Sequence, residues 1–120
     1  MPGPPETTIV TVVDFWASWC EACLVAMPAI EHLHRRNRDR GVEVVGVSVD
    51  EEPQNAMGTI MQLQTTFPIV IDRHGRIQAA YNVGKIPTTF VIDRNGMVRW
   101  VGRDTRMMEQ AVDRLLALNR

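Results

Sequence analysis

The sequence has little of what small proteins use as staples. Its 120 residues include two cysteines, one tyrosine, three histidines and a single lysine, Lys85. Two cysteines cannot build the disulfide framework of a small cystine-rich domain. Alone they are also too few for a structural zinc site, which takes four ligands. No apolar run approaches the roughly 18–20 residues needed to cross a bilayer. Nor is there an excess of one charge: 13 basic and 14 acidic residues leave a net charge of −1. The strongly basic face of a nucleic-acid binder is therefore missing. Met1–Glu6 reads MPGPPE, with no basic segment followed by an apolar one, so no secretory signal is visible. Residues 1–7 are expected to be a disordered lead, and residues 8–120 a single domain.

What is present is a globular composition, 45% hydrophobic and 22% charged, in a length suited to one core. Residues 9–15, IVTVVDF, form a β-branched run that fits a strand buried on both faces. Cys23, Leu24, Met27, Ile30 and Leu33 then recur at three- and four-residue steps, predicting a helix over 21–40 with Pro28 as a kink. Arginines crowd its end, where cations suit the helix dipole, and Gly41 stops it. Residues 42–49, VEVVGVSV, predict a second buried strand. A less regular helix is expected over 50–66, with Met57, Ile60, Met61 and Leu63 as its apolar side. Residues 67–71 read as an extended segment that Pro68 confines to an edge or a strand start. A turn at 72–75 and a short helix from Arg76 follow. Residues 88–93 and 97–102 read as strands joined at Asn95-Gly96, a strong hairpin signal. Thr105–Leu118 closes the chain as an amphipathic helix capped by Asp104 or Thr105. This order predicts an α/β fold with a mixed central sheet and helices on both faces.

The chemical centre is Cys20-Glu21-Ala22-Cys23, placed directly after a buried strand and at a helix start. Two thiols three positions apart in a first turn can close a small, reversible disulfide. The first faces unpaired backbone N–H groups at the positive end of the helix dipole, which favours its thiolate, the nucleophilic form. Cys20 is thus the expected attacking thiol. Cys23, one turn deeper, is the expected resolving thiol that clears a mixed disulfide. Haem attachment is disfavoured because Leu24, not histidine, follows. A metal site would have to recruit His32, His34 or His74. The first two are two positions apart and point to different sides of a helix, and all three are read as surface residues rather than ligands, so no metal is expected.

Residues 13–23, VDFWASWCEAC, resemble the active-site strand and helix of thioredoxin-fold oxidoreductases. Pro28 matches the helix proline of that fold, and residues 84–90, GKIPTTF, resemble its cis-proline loop. Residues 45–50 (VGVSVD), 67–72 (FPIVID) and 87–96 (PTTFVIDRNG) point to the TlpA/ResA-like branch. The resemblance runs over residues 8–118 and implies a thioredoxin-like three-layer sandwich. Alanine at position 22 departs from the familiar C-x-P-C, Asp14 departs from many TlpA-like sequences, and the leading hairpin of that branch is absent or shortened.

The resemblance implies a thiol–disulfide oxidoreductase whose only redox group is the Cys20–Cys23 disulfide. It implies cysteine-containing protein substrates, a redox partner protein, an extracytoplasmic reductant, and service to apocytochrome c or another metalloprotein; the chain itself leaves a cytoplasmic setting open as the alternative. A monomer is expected. By the same resemblance Asp14 would sit under the disulfide and move the Cys23 proton through water; the competing role is a cap at a strand end. Pro87 would be cis and face Cys20, exposing the Ile86 backbone to a substrate peptide; the competing state is an ordinary trans loop proline. Trp16 and Trp19 would rim the site or simply fill core. Glu21 would oppose the thiolate by charge or only suit the helix dipole. Met57, Met61, Met107 and Met108 are assigned to core. Two other functions compete: a Cu(I)-binding metallochaperone, since thiolates favour soft ions, and a thiol peroxidase.

Overall fold

The computed structural model describes residues 7–119, so the expected lead lies outside the described residues except for Thr7. Strand β1 (Val10–Trp16) is the centre of the sheet, and six of its seven residues are buried. A β-branched run with no solvent face can only be satisfied between two layers. Helix α1 (Glu21–Asn37) returns the chain to the start of β2 (Val42–Ser48), which pairs parallel to β1 from Val10↔Val42 to Trp16↔Ser48. Pro28 lies inside α1 without ending it. A 3-10 turn, Arg38–Arg40, follows instead of the last helical turn, and Gly41 leaves it at φ 85°, a conformation that costs glycine little.

Helix α2 (Pro53–Leu63) leads to β3 (Ile69–Ile71), which pairs parallel with β2 at the sheet edge. The short α3 (Arg76–Ala80) precedes β4 (Thr88–Asp93), antiparallel to β1, and β5 (Val98–Gly102), antiparallel to β4. Gly96, at φ 82°, completes the turn between β4 and β5. Helix α4 (Thr105–Leu118) starts at Asp104, whose carboxylate accepts from the N–H groups of Arg106 and Met107. The sheet order is β3-β2-β1-β4-β5, a mixed sheet with helices on both faces.

The faces are unequal. Val10, Val12 and Trp16 of β1 and Val42 and Val44 of β2 pack with α1, α4 and Ala56 of α2 in the larger core. The smaller core on the other face gathers Val13, Phe15, Val47, Val83 and Phe90 with Ile77 of α3. The rings of Phe15, Tyr81 and Phe90 meet pairwise there, with centroids 5.0 to 5.8 Å apart. Gly46 is needed where β2 passes under the larger core. A Cβ there would stand 2.6 Å from Ile69 Cδ1 and 2.9 Å from Phe67 Cε1.

Three expectations change. The helix expected from residue 50 starts at Pro53, because Asp50 is buried and binds Ser18 and Ser48 rather than entering a helix. The inward stripe of α2 is Ala56, Ile60 and Leu63, so Met57 and Met61 are 59% and 76% exposed. Met107 is also exposed, and of the four methionines assigned to core only Met108 is buried. His34, read as a surface residue, is half-buried against the edge of the Phe67 ring. Burial lowers its pKa, and its buried Nδ1 has no hydrogen-bond partner among the described residues.

Candidate active site

Cys20 is the N-cap of α1, in extended conformation, and the helix begins at Glu21. Its sulfur accepts from the Cys23 N–H at 3.2 Å, so one of the unpaired donors of the first turn points at the sulfur itself. The two cysteines are joined by a disulfide with Cα atoms 5.2 Å apart. Cys20 is 8% exposed and Cys23 only 1%. The outer sulfur therefore belongs to the residue that meets the helix dipole, and the inner one faces the core. Glu21 is exposed at the first helical position.

The loop that delivers Cys20 is held from below. The buried Asp50 carboxylate accepts from the Ser18 N–H at 3.0 Å, from the Ser18 hydroxyl at 2.6 Å and from the Ser48 hydroxyl at 2.6 Å. Three donors on one carboxylate fix the segment between β1 and α1 to the end of β2. Sequence reasoning placed Asp50 at the end of a strand motif and the start of a helix, and gave it no partner. The available signal was a charge following directly on an apolar run, which is costly to bury unless it is bonded.

Asp14 lies on the face of β1 that packs under α1. It is 1% exposed, and its carboxylate accepts from the Thr89 hydroxyl at 2.9 Å. Burial drives its pKa up to about 7, and the Thr89 bond offsets part of that rise. Thr89 was not singled out from the sequence. Its pairing with Asp14 is a register relation between β1 and β4, which no local pattern encodes.

In the segment that leads into β4, the Ile86–Pro87 peptide bond is cis. Pro87 is buried and Ile86 half-buried. Arg103, just beyond β5, donates from Nε to the Pro87 carbonyl and from Nη2 to the Ile86 carbonyl, both at 3.1 Å. Trp19 is 70% exposed and walls a cleft of about 440 Å³ with Val49, Lys85, Ile86 and Arg103. Trp16, by contrast, is fully buried core. A roomier depression of about 730 Å³ lies at the opposite end of β1, among Thr7, Arg38, Arg40 and Arg94. Among the described residues no group of three His, Cys, Asp or Glu is placed to hold a metal ion.

The family profile described as the AhpC/TSA family matches residues 8–101. The chain belongs to the AhpC/TSA family. Within it, the chain is 38% identical over 104 residues to the thiol-disulfide oxidoreductase ResA of Geobacillus kaustophilus, covering 87% of this chain and 59% of that protein. It thus spans less than two thirds of the curated relative's length. A crystal structure described as the thiol:disulfide interchange protein DsbE of Chlorobium tepidum superposes with a TM-score of 0.85 at 32% identity, covering 92% of this chain and 82% of that one. The solution structure of a thioredoxin-like protein in its oxidised form does so with a TM-score of 0.82 at 27% identity, covering 92% and 79%. The thioredoxin-like sandwich and the ResA-like resemblance expected from the motifs both hold for this AhpC/TSA chain.

Proposed function

We propose that a single domain over residues 8–120 exchanges disulfides with cysteine pairs of protein substrates, acting as a reductant in an extracytoplasmic setting. The observation that carries this reading is the disulfide between Cys20 at the helix N-cap and Cys23 beneath it, with Cys20 following directly on Trp19, which walls the cleft. The names of the AhpC/TSA relatives support it. The direction and the setting rest on the TlpA/ResA-like motifs, and the same resemblance makes apocytochrome c or another metalloprotein a substrate.

In the dithiol state the Cys20 thiolate attacks one sulfur of a substrate disulfide. That bond breaks, one substrate thiolate leaves and takes a proton, and a Cys20–substrate disulfide forms. Cys23 gives its proton to the Asp14 carboxylate, whose pKa of about 7 suits a base at neutral pH. The Cys23 thiolate attacks the Cys20 sulfur, and the bond from Cys20 to the substrate breaks. The second substrate thiolate leaves and is protonated, and the Cys20–Cys23 disulfide closes. Two electrons pass to the substrate, and a partner dithiol returns them by the reverse exchange. Ile86 and Pro87 supply the wall against which the substrate chain lies, Trp19 the apolar platform, and Glu21 a charge at the mouth.

Cys20→Ser abolishes insulin reduction if this reading is right. Cys23→Ser accumulates a stable mixed disulfide on Cys20, seen as a mass shift that dithiothreitol reverses. Undiminished turnover in the first variant would overturn the assignment of the nucleophile. Absence of the trapped species in the second would overturn the resolving role.

A further inference from the structure

The wall of the cleft carries a charge that disulfide exchange by itself does not need. Arg103 spends two of the five guanidinium N–H donors on the carbonyls of Ile86 and Pro87, which fixes the plane of the group and leaves the remaining donors unspent. The side chain is exposed. The side-chain ion pairs among the described residues are Glu31–Arg35 and Asp93–Arg99, and Arg103 is in neither.

Its position is specific. Arg103 lines the cleft that holds Trp19 and Lys85, and also a second depression, about 530 Å³, that holds Ala22, Val25 and Arg106. It therefore stands between the residue before Cys20 and the residue two after it. Asp104 lines the same depression, but its Oδ1 accepts from the N–H groups of Arg106 and Met107 and it forms no ion pair with Arg103, while Glu21 sits at the positive end of α1. Exposed Lys85 and Arg103 line the cleft, and exposed Arg106 lines the adjoining depression.

We infer that Arg103 selects substrates, and that the cleft takes a cysteine-bearing polypeptide with Asp or Glu within two residues of its reacting cysteine. A guanidinium fork matches a carboxylate in two parallel hydrogen bonds, and a fork already fixed by two carbonyls loses little freedom on binding. In an extended peptide a side chain two positions away lies about 7 Å along the strand, within reach of the groups that flank Cys20. The apolar face of Trp19 takes the rest of the peptide. The inference rests on the exchange reading and narrows its substrates.

The test compares two otherwise identical peptide disulfides, one with aspartates and one with lysines on both sides of the cysteine. The readout is the ratio of their kcat/KM values with the full chain. The chain favours the acidic peptide by about tenfold at low salt, less at high salt. Arg103→Gln, which can still donate to a carbonyl, brings the ratio near one; Arg103→Glu inverts it; Arg103→Lys retains part of it. Circular dichroism and thermal melts verify folding, and Arg103→Gln decides the matter if Arg103→Glu is unfolded. A ratio near one for the parent chain, or one that Arg103→Gln leaves unchanged while exchange continues, would overturn the inference and leave the exchange reading intact. Failure of the parent chain to exchange with either peptide, although dithiothreitol reduces its disulfide, overturns the exchange reading and this inference with it.

Discussion

The Thr89 hydroxyl donates to the Asp14 carboxylate at 2.9 Å across neighbouring strands, beneath the helix that carries both cysteines. It is the hydrogen bond that holds the Asp14 pKa down against the larger effect of burial. Thr89→Val keeps the shape and removes the donor. The Asp14 pKa then rises above about 7, and the rising limb of the exchange rate against pH moves upward with it. A pH–rate profile of the two proteins checks this.

Asp14 also makes stability depend on pH. Its carboxyl titrates near 3.8 when unfolded and at about 7 when folded. Between those values the folded chain binds more protons than the unfolded one, so stability falls as pH rises through this window. The loss across the whole window is on the order of 4 kcal/mol. Asp14→Asn removes the dependence and is the more stable protein at pH 8, which urea denaturation at pH 5 and pH 8 would measure.

Asp50 makes a different contribution, because its three donors tie the loop before Cys20 to the end of β2. Asp50→Ala strands buried donors and costs about 3 kcal/mol. Ser18→Ala costs about 1–2 kcal/mol, and the double variant costs less than the sum because the two residues share bonds. Chemical denaturation of the cycle gives the coupling.

Gly46→Ala forces a methyl against Ile69 and Phe67. Overpacking of this kind costs about 1–3 kcal/mol. The displaced neighbours belong to β3 and the segment before it, so amide exchange should quicken at Ile69–Ile71 before it does in β1.

The proposed direction of electron flow sets the potential. A Cys20–Cys23 couple near −270 mV, the thioredoxin value, is expected for a reductant, whereas a strong oxidant lies near −120 mV. Equilibration with glutathione buffers of known poise distinguishes the two, and a value near the second would overturn the reductant role.

The strands, the helix after Cys20 and the hairpin at Asn95-Gly96 were legible because each is written in a local period or a turn dipeptide. Asp14 stood out as a lone acid in a β-branched run. Arg103 did not, because its bonds to Ile86 and Pro87 join segments 16 and 17 residues apart in sequence, and an exposed arginine among twelve carries no local mark. Met57 and Met61 were misplaced for a related reason. Three apolar positions already satisfy the inward stripe of α2, and periodicity cannot tell which of two neighbouring apolar rows a second layer will cover.

The two ends of β1 are chemically segregated. At one lie the disulfide, the cleft and Arg103; at the other lie Arg38, Arg40 and Arg94 around a depression that shares no residue with the first. Sequence drift and engineered tethering can therefore be absorbed at the arginine end. A label or surface linkage attached there would leave the sulfur chemistry free to face solution, and would give the molecule a handle with a defined orientation.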